Sequence, residues 1–353
     1  MKILITGVAG FVGTKICERL IEQDSDLQII GIDNFSRPGS ETNLRKLKLL
    51  GVPINRFDIR STSDIESLEP VDWVIDCAAN PSVLAGVDGN TSSRQLMEHN
   101  LLGTINLLEY CRRCKAGLIL LSTSRVYSAT ELAQLPIQAS DFAFALKEGF
   151  STTGISSKGI SENFPTSPPI SLYGASKLAS ETLVLEYAEA FGFPVWINRC
   201  GVLAGAGQFG KADQGIFSFW IHSFFEKNPL KFIGFEGSGL QVRDALHPRD
   251  LAPLLSRQMQ EPDRDAPKII NLGGGAGNSM SLKQLTSWCK ERLGSNEVLA
   301  SGEERPMDAP WIAMDSSMAR KAWDWTPQTT LNEILEEIAN HAEANPEWLE
   351  ITN

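Results

Sequence analysis

The sequence predicts an α/β fold, namely a Rossmann-type doubly wound parallel sheet with a smaller mixed C-terminal lobe. Short continuous apolar runs, typical of strands buried on both faces, alternate with segments of helical period over the first 200 residues. The first of these runs ends in a glycine-rich turn that opens a helical segment. A later apolar run at 268–272 is expected to return to the same sheet.

The glycine-rich turn is the strongest local signal. Residues 3–6 form an apolar run, residues 11–21 carry apolar side chains at helical spacing, and Gly7, Gly10 and Gly13 mark the junction. In such a turn one glycine permits the tight bend, one lets a pyrophosphate approach the backbone, and one lets helix and strand pack closely. The helix N-terminus adds free N–H groups and a partial positive charge. We therefore predict a dinucleotide-binding turn, whose other contacting residues are Phe11 and Val12.

The second apolar strand specifies the cofactor. It covers residues 28–33 and ends in Asp33, 20 residues beyond Gly13. A carboxylate at this position binds the adenosine ribose hydroxyls and repels a 2′-phosphate, which favours NAD over NADP. Asn34 follows directly and is a further candidate contact. The alternative is that Asp33 only caps a loop.

Further candidate cofactor contacts follow the next two strands. An acid at such a strand end commonly meets the adenine edge, and small residues suit a backbone that runs close to a cofactor. An ordinary surface turn explains the first pair of candidates equally well. The candidates are Asp58 and Ile59 after the third strand, residues 53–57, and Ala78 and Ala79 at the end of the fourth, residues 71–79.

The next helix and strand complete the predicted cleft. A long helix over 91–114 places Asn100, another candidate cofactor contact, within its apolar stripe. The fifth strand, 117–122, delivers Thr123 at its C-terminal end. Since ligands of open parallel sheets bind beyond the C-terminal strand ends, the glycine turn, Asp33 and Thr123 are expected to converge on one crevice.

A tyrosine and a lysine follow a long polar insertion. Residues 129–169 are rich in Ser, Thr, Gly and Pro, and such a segment within a compact enzyme is more often functional than idle. Beyond it, Tyr173 and Lys177 lie four residues apart in a predicted helix that Ser171 caps, so both share one helix face.

This spacing makes chemical sense beside an oxidised nicotinamide. A tyrosine with a pKa near 10 must lose about 3 units, or roughly 4 kcal/mol, to act as a base near neutral pH. One positive charge at about 6 Å contributes roughly 2.8 kcal/mol at an effective dielectric constant of about 20. Lys177 alone is therefore insufficient, whereas Lys177 with a charged nicotinamide ring suffices. The alternative is an exposed Tyr–Lys pair without function.

Composition and charge exclude several classes of partner. The chain has 353 residues, a formal net charge of -11 and no Lys/Arg-rich run, which argues against nucleic acid and anionic membranes. No apolar stretch approaches the roughly 18 residues of a membrane span, and the first residues resemble a core strand rather than a signal peptide. We therefore expect a cytoplasmic protein.

The cysteines and histidines predict no metal site. The six cysteines are scattered, as in a reducing compartment, and only Cys111 and Cys114 have redox or zinc spacing. That pair ends a helical segment without a second pair or nearby histidines, so we interpret it as structural. The chain has only four histidines.

The C-terminal part contains arginines suited to an anionic ligand. Arg243 and Arg249 lie in the segment 241–250, and Arg305 lies in the segment 303–306. Arginine forks bind phosphate oxygens bidentately. A surface ion pair is the alternative for each of them.

Together these motifs resemble the extended short-chain dehydrogenases/reductases, specifically their nucleotide-sugar epimerase and dehydratase group. The resemblance covers nearly the whole chain. Within the group, residues 208–216 and 241–247 most resemble the branch of CDP-paratose 2-epimerase, also called CDP-tyvelose epimerase. The motifs concerned are Thr6 to Gly13, Asp33, Ser122 and Thr123 before Tyr127, Tyr173 to Lys177, 241–244, 271–275 and 305–327.

The resemblance implies a role for each of these residues. Thr123, Tyr173 and Lys177 form the catalytic triad, with NAD held tightly and recycled while a nucleotide-diphosphate sugar is epimerised through a keto sugar. Tyr173 and Lys177 also contact the cofactor. Residues 1–200 are the expected NAD-binding domain, with the insertion 129–169, and residues 201–353 are mainly the nucleotide-sugar-binding lobe. The expected substrate-binding residues are Arg125, Gln208, Arg243 and Arg305.

The chain departs from the family pattern in places that affect substrate choice. Ala204-Gly205 and Gly207-Gln208 replace a usual Tyr-Gly and Arg-Gln, and the insertion is longer than expected. A 4,6-dehydratase needs carboxylates after the threonine, where this chain has Ser124 and Arg125. A 4-epimerase, an NAD-dependent sugar dehydrogenase and an inactive NAD-binding protein remain as alternatives. The resemblance also implies a homodimer or homotetramer.

Overall fold

The computed structural model describes residues 1–87, 89 and 91–352. Within them the main sheet has seven parallel strands in the order β14-β10-β5-β4-β1-β2-β3. The strand order reverses between β1 and β4, as in a doubly wound sheet. Its strands are β1 Lys2–Thr6, β2 Gln28–Ile32, β3 Ile54–Asn55, β4 Trp73–Asp76, β5 Gly117–Thr123, β10 Val195–Cys200 and β14 Ile269–Leu272. The prediction of an α/β Rossmann-type fold is confirmed.

The sheet forms because its strands are apolar along their whole length. Every residue of β5 and β10 is buried, which is typical of parallel strands covered by helices on both faces. At Gly117 a Cβ would lie 2.5 Å from the Trp73 ring, so β5 can pair with β4 only with glycine there. Two clusters of buried apolar side chains cover the two faces of the sheet.

Helices cover both faces of the sheet and build much of the second lobe. The longest, α7, has 21 residues, and a π-helical segment, Glu98–Leu102, joins α4 to α5. The helices are α1 Phe11–Gln23, α2 Leu44–Leu49, α3 Thr62–Glu66, α4 Ser93–Met97, α5 Gly103–Cys114, α6 Ala129–Ala133, α7 Ser171–Phe191, α8 Ile216–Phe225, α9 Ala252–Gln260, α10 Leu282–Leu293, α11 Ser317–Trp323, α12 Leu331–Ala344 and α13 Trp348–Thr352.

The second lobe combines small mixed sheets with helices α8, α10 and α12. Its central strand, β13, pairs in parallel with β11 and β17 and antiparallel with β15, while β12 pairs in parallel with β16. Trp220, Leu285 and Ile334 belong to its core. The strands are β11 Val202–Leu203, β12 Leu230–Phe232, β13 Val242–Leu246, β15 Ser279–Ser281, β16 Val298–Ala300 and β17 Trp311–Ile312.

The insertion 129–169 contains structure that its composition did not predict. It begins with α6 and continues with two short hairpins. The Phe144 N–H donates to the Leu240 carbonyl at 2.9 Å, and the Ser281 hydroxyl donates to the Phe142 carbonyl at 2.5 Å, so the first hairpin is fastened to the second lobe. The hairpin strands are β6 Ile137–Ala139, β7 Phe144–Leu146, β8 Ile155–Ser156 and β9 Gly159–Ile160.

Several predicted boundaries differ from the observed ones. The third strand is only two residues long, and the fourth ends at Asp76 rather than at residue 79, because the chain must leave the sheet to form the cleft wall. The helix predicted over 91–114 begins at Ser93 and contains the π-helical segment. The division into two lobes at residue 200 stays a prediction. Asn353, the last residue of the predicted second lobe, lies outside the described residues.

Candidate active site

The glycine turn between β1 and α1 forms a cradle of bare backbone. Gly7 has φ +61°, and a Cβ at this position would lie 3.0 Å from the Cα of Ala78. A Cβ at Gly13 would lie 2.3 Å from the Gly7 carbonyl oxygen. The Gly10 N–H donates to the same carbonyl at 3.0 Å. Because side chains are excluded, phosphate oxygens can approach the backbone and the N-terminus of α1 closely.

Asp33 faces this cradle from the end of β2. Its carboxylate accepts hydrogen bonds from the backbone N–H groups of Ala9, at 3.0 Å, and Phe35, at 2.8 Å. Burial raises the pKa of Asp33, and these backbone hydrogen bonds oppose the increase. The carboxylate therefore has a fixed orientation beside the turn, as the contact with an adenosine ribose requires.

A cleft with a volume of about 400 Å³ extends from the glycine turn to the second lobe. Its walls contain the glycine cradle, Asp33 and the ends of β4 and β5. These residues fit a dinucleotide, because they combine a backbone anion site with a ribose-binding acid in one cleft. The predicted site residues on its walls are Gly7, Gly10, Phe11, Val12, Gly13, Asp33, Asn34, Ile59, Ala78, Ala79, Thr123, Arg125, Tyr173, Gln208, Arg243 and Arg305.

Asp58 and Asn100 are absent from this wall among the described residues. Asp58 forms an ion pair with Arg60 at 2.6 Å and accepts a hydrogen bond from the Asn34 amide at 3.0 Å. Burial raises the pKa of Asp58, but these bonds outweigh burial and hold the pKa well below its usual range. The Asn100 amide is occupied by the N–H and the carbonyl of Asn80, at 2.8 and 3.1 Å. Both side chains therefore support the wall from behind.

Helix α7 brings Tyr173 next to Thr123. Ser171, with φ +74°, accepts from the Gly174 N–H through its hydroxyl at 3.1 Å, which is the bond of an N-cap. A Cβ at Gly174 would lie 2.1 Å from the Arg125 carbonyl oxygen, so α7 can approach the turn after β5 only with glycine there. As a result the Tyr173 and Thr123 side chains line the same cleft, close enough for Thr123 to affect the pKa of the phenol.

The surroundings of Tyr173 favour the protonated phenol when no ligand is bound. Burial raises its pKa to about 12, while the nearby Thr123 hydroxyl and the charge of Arg125 oppose the increase. Cys200 adds to it. A base role near neutral pH thus requires additional positive charge, as the sequence analysis predicted for the nicotinamide ring.

Lys177 is buried beneath the cleft and is 2% exposed. Asp76, at the end of β4, is equally buried and accepts from the Thr6 hydroxyl at 2.6 Å. Burial raises the pKa of Asp76, and the Lys177 ammonium is the main opposing influence. Sequence reasoning missed Asp76, because it lies inside an apolar strand where nothing indicates its distant partner.

Three arginines converge on the second-lobe side of the cleft. Burial, together with the charges of Arg243 and Arg305, lowers the pKa of Arg125 to about 10, and the charge of Asp308 opposes this decrease. Arg243 forms an ion pair with Asp308, and Arg305 donates to the backbone carbonyl of Asp213 at 3.1 Å. The cluster has more positive than negative charge and suits a diphosphate.

Loop residues that no motif indicated also line the cleft. Arg37, after Asp33, lies on the wall and donates to the Phe209 carbonyl. Asp213 also lies on the wall, and its carboxylate accepts from the Ser82 hydroxyl at 2.6 Å. Asp308, also on the wall, lies three residues beyond Arg305, yet its pairing with Arg243 is visible only in the fold.

The described residues contain no group of three or more His, Cys, Asp or Glu side chains arranged to hold a metal ion. All six cysteines, Cys111 and Cys114 included, are free thiols. No helix in the described part of the chain is both long and apolar enough to cross a membrane.

Fold and site together define a nucleotide-dependent enzyme of the Rossmann type. The model of the NAD dependent epimerase/dehydratase family matches residues 3–273, and the chain belongs to this family. Its cofactor is therefore NAD, as predicted, and the prediction of an NAD-dependent nucleotide-sugar epimerase is confirmed at this level.

Relatives of known name differ in the reaction they are named for. The chain is 28% identical over 349 residues to CDP-paratose 2-epimerase of Salmonella typhi, covering 96% of this chain and 98% of the relative. It is 26% identical over 359 residues to UDP-glucuronate 4-epimerase of Thermodesulfobacterium geofontis, covering 98% and 97%. These values are too close to decide between the two reactions.

The solved structures agree with the family. UDP-glucuronic acid 4-epimerase of Bacillus cereus, in complex with UDP-glucuronic acid and NAD, superposes with a TM-score of 0.79. It is 26% identical, and the match covers 98% of this chain and 99% of that one. UDP-glucose 4-epimerase of Bifidobacterium longum, with a TM-score of 0.80 and 21% identity over 99% and 100% of the chains, supports the fold alone.

Proposed function

We propose that this protein inverts C2 of a CDP-linked sugar of the paratose or tyvelose kind through a transient keto sugar. The single observation that carries the proposal is that Thr123 and Tyr173 lie on the same cleft wall, which links the dinucleotide cradle to the arginine cluster. A sugar bound between these regions would present a carbon to both catalytic side chains. The relative named CDP-paratose 2-epimerase supports the choice of substrate.

Each residue of the proposed triad has a distinct task. Tyr173 takes the proton of the hydroxyl at the reacting carbon and later returns it. Thr123 donates a hydrogen bond to that oxygen, and Lys177 supplies positive charge from beneath the cleft. When bound, NAD supplies the acceptor and then the donor of the hydride at the same carbon. The keto sugar must turn within the cleft between the two transfers.

The remaining predicted site residues hold the two ligands. Arg125, Arg243 and Arg305 are proposed to bind the diphosphate of the substrate, and Gln208 a neighbouring polar group. The glycine cradle and Asp33 are proposed to bind the pyrophosphate and adenosine ribose of NAD. Ala78 and Ala79 keep the cleft open where β4 ends, since larger side chains there would narrow it.

A nucleotide-sugar 4-epimerase is the second candidate, because a UDP-glucuronate 4-epimerase is nearly as similar as the 2-epimerase. Proton NMR with CDP-, UDP-, GDP- and dTDP-sugars, without added cofactor, separates the two. A 2-epimer of CDP-paratose supports the proposal, whereas a 4-epimer of another sugar contradicts it. Net consumption of added NAD would indicate a dehydrogenase. If no sugar reacts, with or without added NAD, the result would support an inactive NAD-binding protein.

We also propose a cytoplasmic homodimer or homotetramer that pairs through α5 and α7. Both helices pack side by side on one face of the sheet, and Phe191 at the end of α7 is 51% exposed. A monomeric mass by light scattering would contradict this assembly.

A further inference from the structure

The chain between β11 and α8 contributes to the wall of the cleft. This stretch, residues 205–215, is called the clasp segment below, and its residues Phe209 and Asp213 line the cleft. Gly207, with φ +80°, and Gly215, with φ +72°, have left-handed backbone near the two ends of the segment. Glycine adopts this conformation at no steric cost, so the chain can bend sharply at both places.

On one side, the clasp segment is fixed to the second lobe. The Gln208 carbonyl accepts hydrogen bonds from the Ser218 hydroxyl and the Trp348 indole N–H, both at 3.0 Å. Arg305 donates to the Asp213 carbonyl at 3.1 Å. All three bonds end on main-chain oxygens, so they fix the course of the backbone along the second-lobe side of the cleft.

On the other side, the segment is tied to the part of the cleft that ends at Asp33. Arg37, four residues beyond Asp33, donates to the Phe209 carbonyl. The Phe209 ring belongs to one apolar cluster with Phe11 at the start of α1, and a Cβ at Gly39 would lie 3.3 Å from this ring. The segment therefore packs against both elements that border the proposed adenosine site.

A second tie reaches the segment from the chain after β4. The Ser82 hydroxyl donates to the Asp213 carboxylate at 2.6 Å, and a hydrogen bond to an ionised acceptor is a strong one. The described residues of the cleft wall include Pro81 and Val83 but not Ser82. Ser82 can therefore influence a ligand in the cleft through Asp213 rather than by contact.

We propose that the clasp segment retains bound NAD between turnovers, with Arg37 and Ser82 as the positioning residues that hold it closed. In this arrangement NAD leaves only after the segment moves away from the NAD-binding part. Retention suits an epimerase, which uses one cofactor repeatedly, whereas a dehydrogenase must exchange its cofactor at every turnover. The inference goes beyond the proposed function, because it concerns release of the cofactor and not the sugar or the reacting carbon.

The test measures how fast radiolabelled NAD leaves the protein after dilution into excess unlabelled NAD, by rapid gel filtration. Ser82→Ala should release NAD about tenfold faster than wild type, because a hydrogen bond to a charged group contributes roughly this factor. Arg37→Met should have a similar effect, and the double variant should release NAD about a hundredfold faster, since the two ties are separate. Ser82→Thr keeps the hydroxyl and should keep the slow release.

Matched controls for both substitutions lie on the exposed surface. The Ser67 hydroxyl donates to the Asp64 carbonyl at 2.7 Å, and Arg19 pairs with Glu22 at 2.9 Å. Ser67→Ala and Arg19→Met should release NAD as slowly as wild type. The association rate separates a clasp from a direct contact, because an opened segment speeds both binding and release of NAD, whereas a lost contact speeds release alone.

Unchanged NAD release in Ser82→Ala, or equal effects in the two control variants, would overturn the proposal. A double variant with faster release and an unchanged association rate would also overturn it, because Arg37 would then hold NAD by direct contact. If NAD is retained as expected and no nucleotide sugar is epimerised, only the proposed reaction fails.

Discussion

At the scale of single residues, Tyr173 determines when the proposed proton transfer can occur. It lies in a buried environment that favours the phenol, and the charge of Arg125 only partly opposes this effect. In the proposed function, the bound cofactor supplies the further positive charge that the phenolate needs. The site is therefore expected to be inert as a base until NAD is in place. Two measurements address this residue.

Replacement of Tyr173 by phenylalanine removes the proton acceptor and leaves the ring. Turnover should fall by about 10²- to 10⁴-fold, because positioned acid–base catalysis contributes that much. NAD binding should persist, since the glycine cradle and Asp33 are untouched. Turnover by NMR and nucleotide content after heat release provide the two readouts. An active Tyr173→Phe protein would exclude the proposed role.

Ultraviolet difference titration of the wild-type protein against Tyr173→Phe isolates this phenol. Without NAD its pKa should be about 12, because burial disfavours the charged form. Bound NAD should move the ionisation to lower pH, and activity should rise with pH through the lowered pKa. An unchanged pKa after NAD binding would show that the cofactor does not activate Tyr173.

The main residues of the candidate site can be predicted from the sequence because they occur at characteristic spacings within short segments. Gly7 to Gly13, Asp33 and Tyr173 lie within short motifs whose geometry follows from one turn or one helix. Asp308 could not be predicted, because its pairing with Arg243 joins residues 65 positions apart. Asp76 could not be predicted for the same reason, because its partner Lys177 is also distant in the sequence.

At the scale of elements, the start of α7 positions Tyr173, the proposed base. The approach of this helix to the turn after β5 depends on Gly174, where no side chain fits. The helix was predictable from its prolines and its Ser171 cap. By contrast, the hairpins of the insertion are too short to show a period, and the π-helical segment depends on backbone bonding that side-chain patterns do not encode.

Replacement of Gly174 by alanine should displace α7 from the turn. Overpacking of this kind costs about 1–3 kcal/mol of stability, and a shift of about 1 Å can reduce turnover by 10²-fold. Chemical denaturation and NMR turnover measure the two effects. Gly277→Ala is the matched control, because nothing lies within 4 Å of its added Cβ. Equal behaviour of both variants would contradict the tight approach.

At the scale of the whole molecule, an ionic cluster joins the NAD-binding part to the second lobe. Glu337 on α12 contacts Lys15 on α1 at 3.3 Å and His247 after β13 at 3.2 Å. Burial raises the pKa of Glu337, but His247, Lys15 and Arg249 outweigh it and lower this pKa to about 2. The cluster therefore couples the two parts through one carboxylate.

This carboxylate should make stability depend on pH. Because its pKa is lower in the folded state than the ordinary value of 4.5, its contribution is present above about pH 4.5 and is lost as the pH falls towards 2. Glu337→Gln should cost about 2 kcal/mol at pH 7 and progressively less below pH 4.5. Urea unfolding at several pH values measures the difference. The exposed Glu22, paired with Arg19, is the control, and Glu22→Gln should leave the pH dependence unchanged.

A pH-independent difference between wild type and Glu337→Gln would show that the ionic cluster contributes nothing to the coupling. The overall architecture around it was predictable, since the order of apolar strands and helices defines a doubly wound sheet. The way in which the two lobes contact each other was not predictable, because it depends on ion pairs between distant parts of the chain, such as Lys15 with Glu337.

The most direct test of the proposed reaction is epimerisation of CDP-paratose in D₂O, followed by proton NMR with no cofactor added. Transient oxidation and reduction at one carbon returns the same hydrogen, so the CDP-tyvelose formed should carry protium, not deuterium, at C2. Deuterium at C2 would show exchange with solvent and contradict the proposed transfer, and absence of any 2-epimer would contradict the proposed substrate.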